Sequence, residues 1–207
     1  MHLYAFGSIC RGEIAFGSDV DLLAIVEGVD GRLDPRKFSI YAYDRMRVLW
    51  REGNPFAWHL ALESRLIHAG DGSEFLAGLG RPEAYTHCVA DCERFKRIFV
   101  DAAEAVRANQ TSLVFDLSSI FLAIRNVATC FSLATGDPIF SRNSALQLGI
   151  NSLPLDPASY SVFEQARLLS VRGRGERPSE HAVKTAVADL NIVETWMDSL
   201  LEEATRV

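Results

Sequence analysis

The stretch "GSICRGEIAFGSDVDLLAIV" (residues 7–26) decides how this chain is read. Gly7-Ser8 closes a short apolar run, 3–6, and Asp19-Val-Asp21 opens a longer one, 22–26. Both runs have the length and composition of strands. A glycine at the end of a strand lets a ligand approach the backbone closely. The freed N–H groups there, with the Ser8 hydroxyl, can hold an anion. Asp19 and Asp21 are two residues apart at the start of a strand, so both carboxylates point to one face. Crowding two carboxylates is unfavourable unless a cation joins them, and a divalent metal is the usual solution. An anion cradle beside a metal-binding pair is suited to a Mg-triphosphate. Taken singly, Gly-Ser is a turn, and "SDVD" is a solvated loop with Ser18 or Asp19 as a cap. The spacing, the strand context and the run at 22–26 together favour the ligand reading.

Working outward, residues 38–43 are aromatic and β-branched and read as a third strand. Asp44 then opens "DRMRVLWREG" as the cap of a helix, with Gly53 placed as its C′ residue. "NPFAWHLALES" restarts a helix, with Asn54 as N-cap and Pro55 at the first helical position. From Pro82 onward the periodicity is helical, predicting helices over 82–109, 112–135 and 157–171. A last helix starts at Pro178 and carries Val183, Val187, Leu190, Val193, Met197 and Leu200. The glycine-rich segment 70–82 is the natural boundary. The expected fold is therefore α+β: a small mixed-sheet domain at 1–72, then an all-α bundle at 82–207.

The chain has 207 residues, 48% of them hydrophobic and 23% charged, which is globular composition. A net charge of −6 argues against a general nucleic-acid binder. Four scattered cysteines imply no disulfide framework. Cys88 and Cys92 have the i, i+4 spacing of a metal site, with only His87 beside them, and buried thiols are the favoured reading. No secretory segment follows Met1, and no apolar run approaches the length of a membrane span. A cytoplasmic protein with no membrane partner is expected.

Gly7-Ser8, ten residues, then Asp19-Val-Asp21 resembles the signature of the DNA polymerase β-like nucleotidyltransferase superfamily. Arg11-Gly12 and Ser18 fall where its minimal members carry them. "REGNPFAWHLALESRLIHAGDG" (51–72) resembles the helix and terminal strand that close such domains. The likeness covers residues 1–72. It implies ATP or another nucleoside triphosphate, Mg²⁺, and transfer of a nucleotidyl group to an acceptor. It also implies that Gly7, Ser8, Arg11 and Ser18 bind the nucleotide, and that Asp19 and Asp21 are the catalytic metal ligands. Two departures stand out. The third carboxylate of the superfamily falls near Ser39, where there is no acid, and the nearest one, Asp44, lies on the opposite alternation phase. The helix that normally precedes the first strand also has no counterpart here. The resemblance therefore implies that the helical half or another subunit, as in a homodimer, covers the sheet edge or back face.

In the helical half, Asp116 interrupts "SLVFDLSSIFLAI", with Ser112, Ser119 and Ala123 on its face. It is a candidate general base for an acceptor hydroxyl. The competing reading is an acid stabilised near a helix N-terminus. Arg125-Asn126 lies mid-helix, where an arginine needs a partner. Arg172, Arg174 and Arg177 concentrate on a glycine-containing loop. His59 reads as a half-buried, satisfied histidine. The leading functional expectation is transfer of AMP from ATP to a hydroxyl on an unidentified small molecule or protein. The alternative is a nucleotide-sensing or toxin–antitoxin-type module with little turnover. The resemblance also brings in HEPN-type helical domains, some of them ribonucleases with an Arg-x(4–6)-His motif. Arg174 and His181 match that spacing, but the residue after Arg174 is Gly.

Overall fold

The computed structural model describes residues 1–13, 20–108 and 112–206. The chain is α+β, a mixed four-stranded sheet followed by helices, and it divides into two units, Met1–Thr86 and His87–Val207.

The first unit opens with β1 (His2–Phe6), a single helical turn α1 (Ser8–Arg11), and β2 (Asp21–Val26). β3 (Phe38–Ala42) leads into α2 (Tyr43–Arg51) and α3 (Pro55–Glu63), followed by β4 (Ser64–Ala69) and a short α4 (Phe75–Gly78). The sheet order is β3-β2-β1-β4. β1 runs antiparallel to β2 and β4, and β2 runs parallel to β3. Phe6 at the end of β1 faces Asp21 on one side and Ser64 on the other.

Alternation puts Tyr4 and Phe6 of β1, and Leu23 and Ile25 of β2, on one face. Met46, Leu49 and Trp50 of α2, with Ala57 and Leu60 of α3, recur at helical spacing and close over that face. Each large apolar side chain buried there contributes about 1.5–3 kcal/mol. The Tyr4 hydroxyl, deep in this core, accepts a hydrogen bond from the Leu76 backbone N–H at 3.0 Å.

The helix signals around Gly53 hold. Gly53 has φ 58°, and the Asn54 side chain accepts from the Phe56 N–H with Pro55 in the first turn. Asp44 is a correction. α2 begins at Tyr43, two residues earlier than a cap at Asp44 would place it; its cap position is Ala42 without a side-chain cap bond, and Asp44 instead pairs with Arg47 at 2.8 Å.

The second unit holds α5 (Cys88–Arg107), α6 (Leu113–Ala134), α7 (Pro157–Arg172), α8 (Glu180–Ala188) and α9 (Leu190–Ala204). α6 is its hub and packs against α5, α7 and α9. Cys88 lies against the Cys130 carbonyl, and Cys92 against that of Val127, so α5 and α6 run antiparallel. α6 corrects the membrane expectation: its mean hydropathy of 1.5 over an 18-residue window is that of a membrane span by length and composition. Of that window, 67% is buried, as in the core helix of a bundle.

Two helix boundaries also differ from the periodicity. α5 starts at Cys88 rather than Pro82, because the preceding segment bonds into the first unit. Trp50 Nε1 donates to the Gly80 carbonyl at 2.9 Å and Trp58 Nε1 to that of Glu83 at 3.0 Å. The helix expected from Pro178 is two helices, broken at Asp189, whose carboxylate accepts from the Ser159 hydroxyl at 2.7 Å. Its first cap is Ser179, which accepts from the Ala182 N–H.

Candidate functional site

The end of β1 carries the turn. Gly7 has φ 77° and ψ −145°, a conformation close to glycine-only territory. A Cβ built on Gly7 would sit 2.7 Å from the Asp21 Oδ2. The register explains this contact: Asp21 is the first residue of β2, opposite Phe6, so its carboxylate stands over the following residue of β1. A side chain at position 7 would force that carboxylate to shift, and the positive φ there favours glycine. Gly7 and Asp21, fourteen positions apart in sequence, are thus brought together by strand pairing.

Ser8 begins α1 directly after Gly7. Asp19 and Ser18 lie outside the described residues. Among the described residues no group of three His, Cys, Asp or Glu side chains is arranged to hold a metal. Of the two aspartates that the sequence pattern singles out as metal ligands, Asp21 is the one described.

On the other side of β1 the sequence left a residue unremarked. The Gly7 N–H donates to the Glu63 carbonyl at 3.2 Å. The Glu63 carboxylate, 14% exposed, pairs with Arg11 and lies 3.0 Å from His59 Nε2. Arg11 donates a second hydrogen bond to Glu13 at 2.9 Å. Burial pushes the Glu63 carboxyl up, but the His59 and Arg11 contacts outweigh it and hold Glu63 below its ordinary value. Arg11 is likewise destabilised by burial, and its two glutamates more than restore its charge. The His59 ring packs edge-on against Phe6 at 5.6 Å. The legible signal for this cluster was the i, i+4 spacing of His59 and Glu63 on a helix.

β3 reads Phe38-Ser-Ile-Tyr-Ala42 and contains no carboxylate. Because β3 runs parallel to β2, its end at Ala42 pairs with Val26, about 16 Å along the strand from Asp21. Asp44 comes two residues later with its side chain 95% exposed, so it belongs to the opposite end of the sheet.

Asp116 belongs to the helical unit. It is buried in the first turn of α6, and its Oδ2 has no hydrogen-bond partner among the described residues. Burial raises its carboxyl. Ala123 on its face is buried, Ser119 bonds back to the Phe115 carbonyl and Ser112 is exposed. Arg125 donates to the Phe140 carbonyl at 3.1 Å, a structural tie between α6 and the loop after it. Arg174 lies in the loop between α7 and α8, and His181 in the first turn of α8, so the two share no helix face. Cys88 and Cys92 are buried with their sulfurs 3.9 Å apart.

No protein-family model matches the chain, and a search of curated protein sequences finds no match either.

Proposed function

We propose that the first unit binds a nucleoside triphosphate with Mg²⁺ and transfers its nucleotidyl group, most simply AMP from ATP, to an acceptor hydroxyl. On this reading the unit is a minimal nucleotidyltransferase of the DNA polymerase β-like type. One observation carries it: a turn whose Gly7 has no side chain, held directly against the Asp21 carboxylate by the β1–β2 register. The polyanion would lie along the Gly7-Ser8 backbone, and Asp21, with Asp19 two residues earlier, would hold the metal. Mg²⁺ supplies neutralisation of the charge that builds on the leaving pyrophosphate. The chain's own task is positioning: Gly7 keeps the floor clear, Ser8 orients a phosphate oxygen, and Arg11 offers a guanidinium to the triphosphate tail.

A second reading, nucleotide sensing with little turnover, draws on the absence of a carboxylate from β3 and the distance of Asp44 from Asp21. General-base assistance is worth about 10²–10⁴-fold, so its loss leaves a slow enzyme. The test is incubation with α-labelled ATP, GTP, CTP and UTP plus Mg²⁺ and a cell extract, for the wild type and Asp21→Asn. Label transferred by the wild type alone supports the transferase. Binding in calorimetry without transfer supports the sensor. Equal Mg-ATP binding by both proteins overturns the site.

A further inference from the structure

Arg11 is the cation nearest the Gly7-Ser8 turn along the chain, and two carboxylates, Glu13 and Glu63, engage it. The two arms differ in kind. Glu13 is 44% exposed, and its attraction is weakened by water and salt. Glu63 is 14% exposed and Arg11 18%, so this pair is the drier and stronger arm. Glu63 grips the turn twice, through its main-chain carbonyl on the Gly7 N–H and through its carboxylate on Arg11. Removing Arg11 from a partly buried carboxylate would ordinarily leave a costly unpaired charge. Here it does not, because His59 Nε2 stands 3.0 Å from the same Glu63 oxygen as a reserve partner.

We infer that Glu63 is a positioning residue that stores Arg11 beside the Gly7-Ser8 turn and yields it to the triphosphate, with His59 retaining Glu63 when Arg11 leaves. The inference rests on the nucleotide-binding reading above and adds a regulation to that site. Affinity for a triphosphate is then set by competition between Glu63 and the phosphates for one guanidinium. A ligand without β- and γ-phosphates gains little from Arg11 and is indifferent to the competition.

The experiment is calorimetric titration of Mg-ATP and of AMP into wild type, Glu63→Gln, Arg11→Gln and the double variant, with thermal melts as a folding control. Glu63→Gln removes the competitor, so Mg-ATP should bind roughly 3- to 10-fold tighter, the scale of a partly exposed ion pair, while AMP affinity stays put. In the Arg11→Gln background the same substitution should shift Mg-ATP affinity by less than about 2-fold, since the effect runs through Arg11. An equal shift in both backgrounds would show plain charge repulsion and overturn the inference, as would weaker binding by folded Glu63→Gln. If Glu63→Gln does not fold, His59→Leu, which has no donor, decides. It removes the reserve partner, so Arg11 is held harder and Mg-ATP binds several-fold more weakly. Unchanged or tighter binding by folded His59→Leu overturns the inference. A wild type that binds neither Mg-ATP nor another Mg-triphosphate instead overturns the nucleotide reading itself, and the storage role with it.

Discussion

Gly53 and Gly7 look alike in sequence, each following a helix or strand and preceding a polar residue. Both adopt positive φ, 58° and 77°. What faces them differs. A Cβ on Gly53 would meet the Ala84 and Glu83 carbonyl oxygens at 2.4 and 2.6 Å, both main chain. A Cβ on Gly7 would meet the end of one side chain, Asp21. The first wall cannot move without moving the connector that Trp50 and Trp58 pin down. The second is the end of a side chain, which a change of rotamer can move without moving main chain. Gly53 is therefore a constraint on folding, whereas Gly7 frames a space whose contents can change.

The largest expected effect tests the rigid side of this contrast. Gly53→Ala combines left-handed strain of about 1–2 kcal/mol with overpacking of about 1–3 kcal/mol. Its urea midpoint should fall well below that of every other variant named here. Gly7→Ala should cost about 1–3 kcal/mol of stability from its backbone conformation, yet remove most Mg-ATP binding in calorimetry. If Gly7→Ala were the less stable protein, or bound Mg-ATP normally, the contrast would collapse.

Two carboxylates sharpen the same distinction, one partnered and one not. Asp116 is buried without a hydrogen-bond partner for Oδ2 among the described residues, and burial raises its carboxyl. The folded state then takes up a proton more readily than the unfolded one, so Asp116 contributes stability as pH falls and subtracts it near neutrality. Asp116→Asn should raise Tm at pH 7 by about 2–4 °C, the change expected for 1 kcal/mol in a chain of this size. A drop in Tm would mean that the ionised carboxylate is compensated. Glu63 has the opposite sign. Its folded carboxyl sits below the ordinary value, so its contribution is complete above the unfolded pKa of about 4.3 and is lost as pH falls through the folded one. Melts of Glu63→Gln between pH 5 and 3 should show a flatter acid limb than wild type. Asp44→Asn should do least. With its carboxylate 95% exposed, a change within about 0.5 kcal/mol and unaltered Mg-ATP binding are expected.

The sequence by itself determined whatever depends on neighbours along the chain. Gly53 at a C′ position and Asn54-Pro55 at a helix start need only a few residues of backbone to express themselves, and the structure has them where the signals lie. The strands flanking Gly7-Ser8 were legible for the same reason, since a short apolar run is contained within one segment. What tertiary structure decided depends on pairing between distant segments. The parallel β2–β3 register carries Asp44 to the far end of the sheet, which no local pattern encodes. The indole bonds of Trp50 and Trp58 hold residues 80 and 83 out of α5, and the Asp189–Ser159 bond sits where α8 gives way to α9, against a continuous helical period. Glu63 reached the turn only because Ser64 pairs with Phe6. Helix caps and turns are settled by a few adjacent dihedral angles, whereas the company a side chain keeps is settled by strand order and register, which the whole core selects.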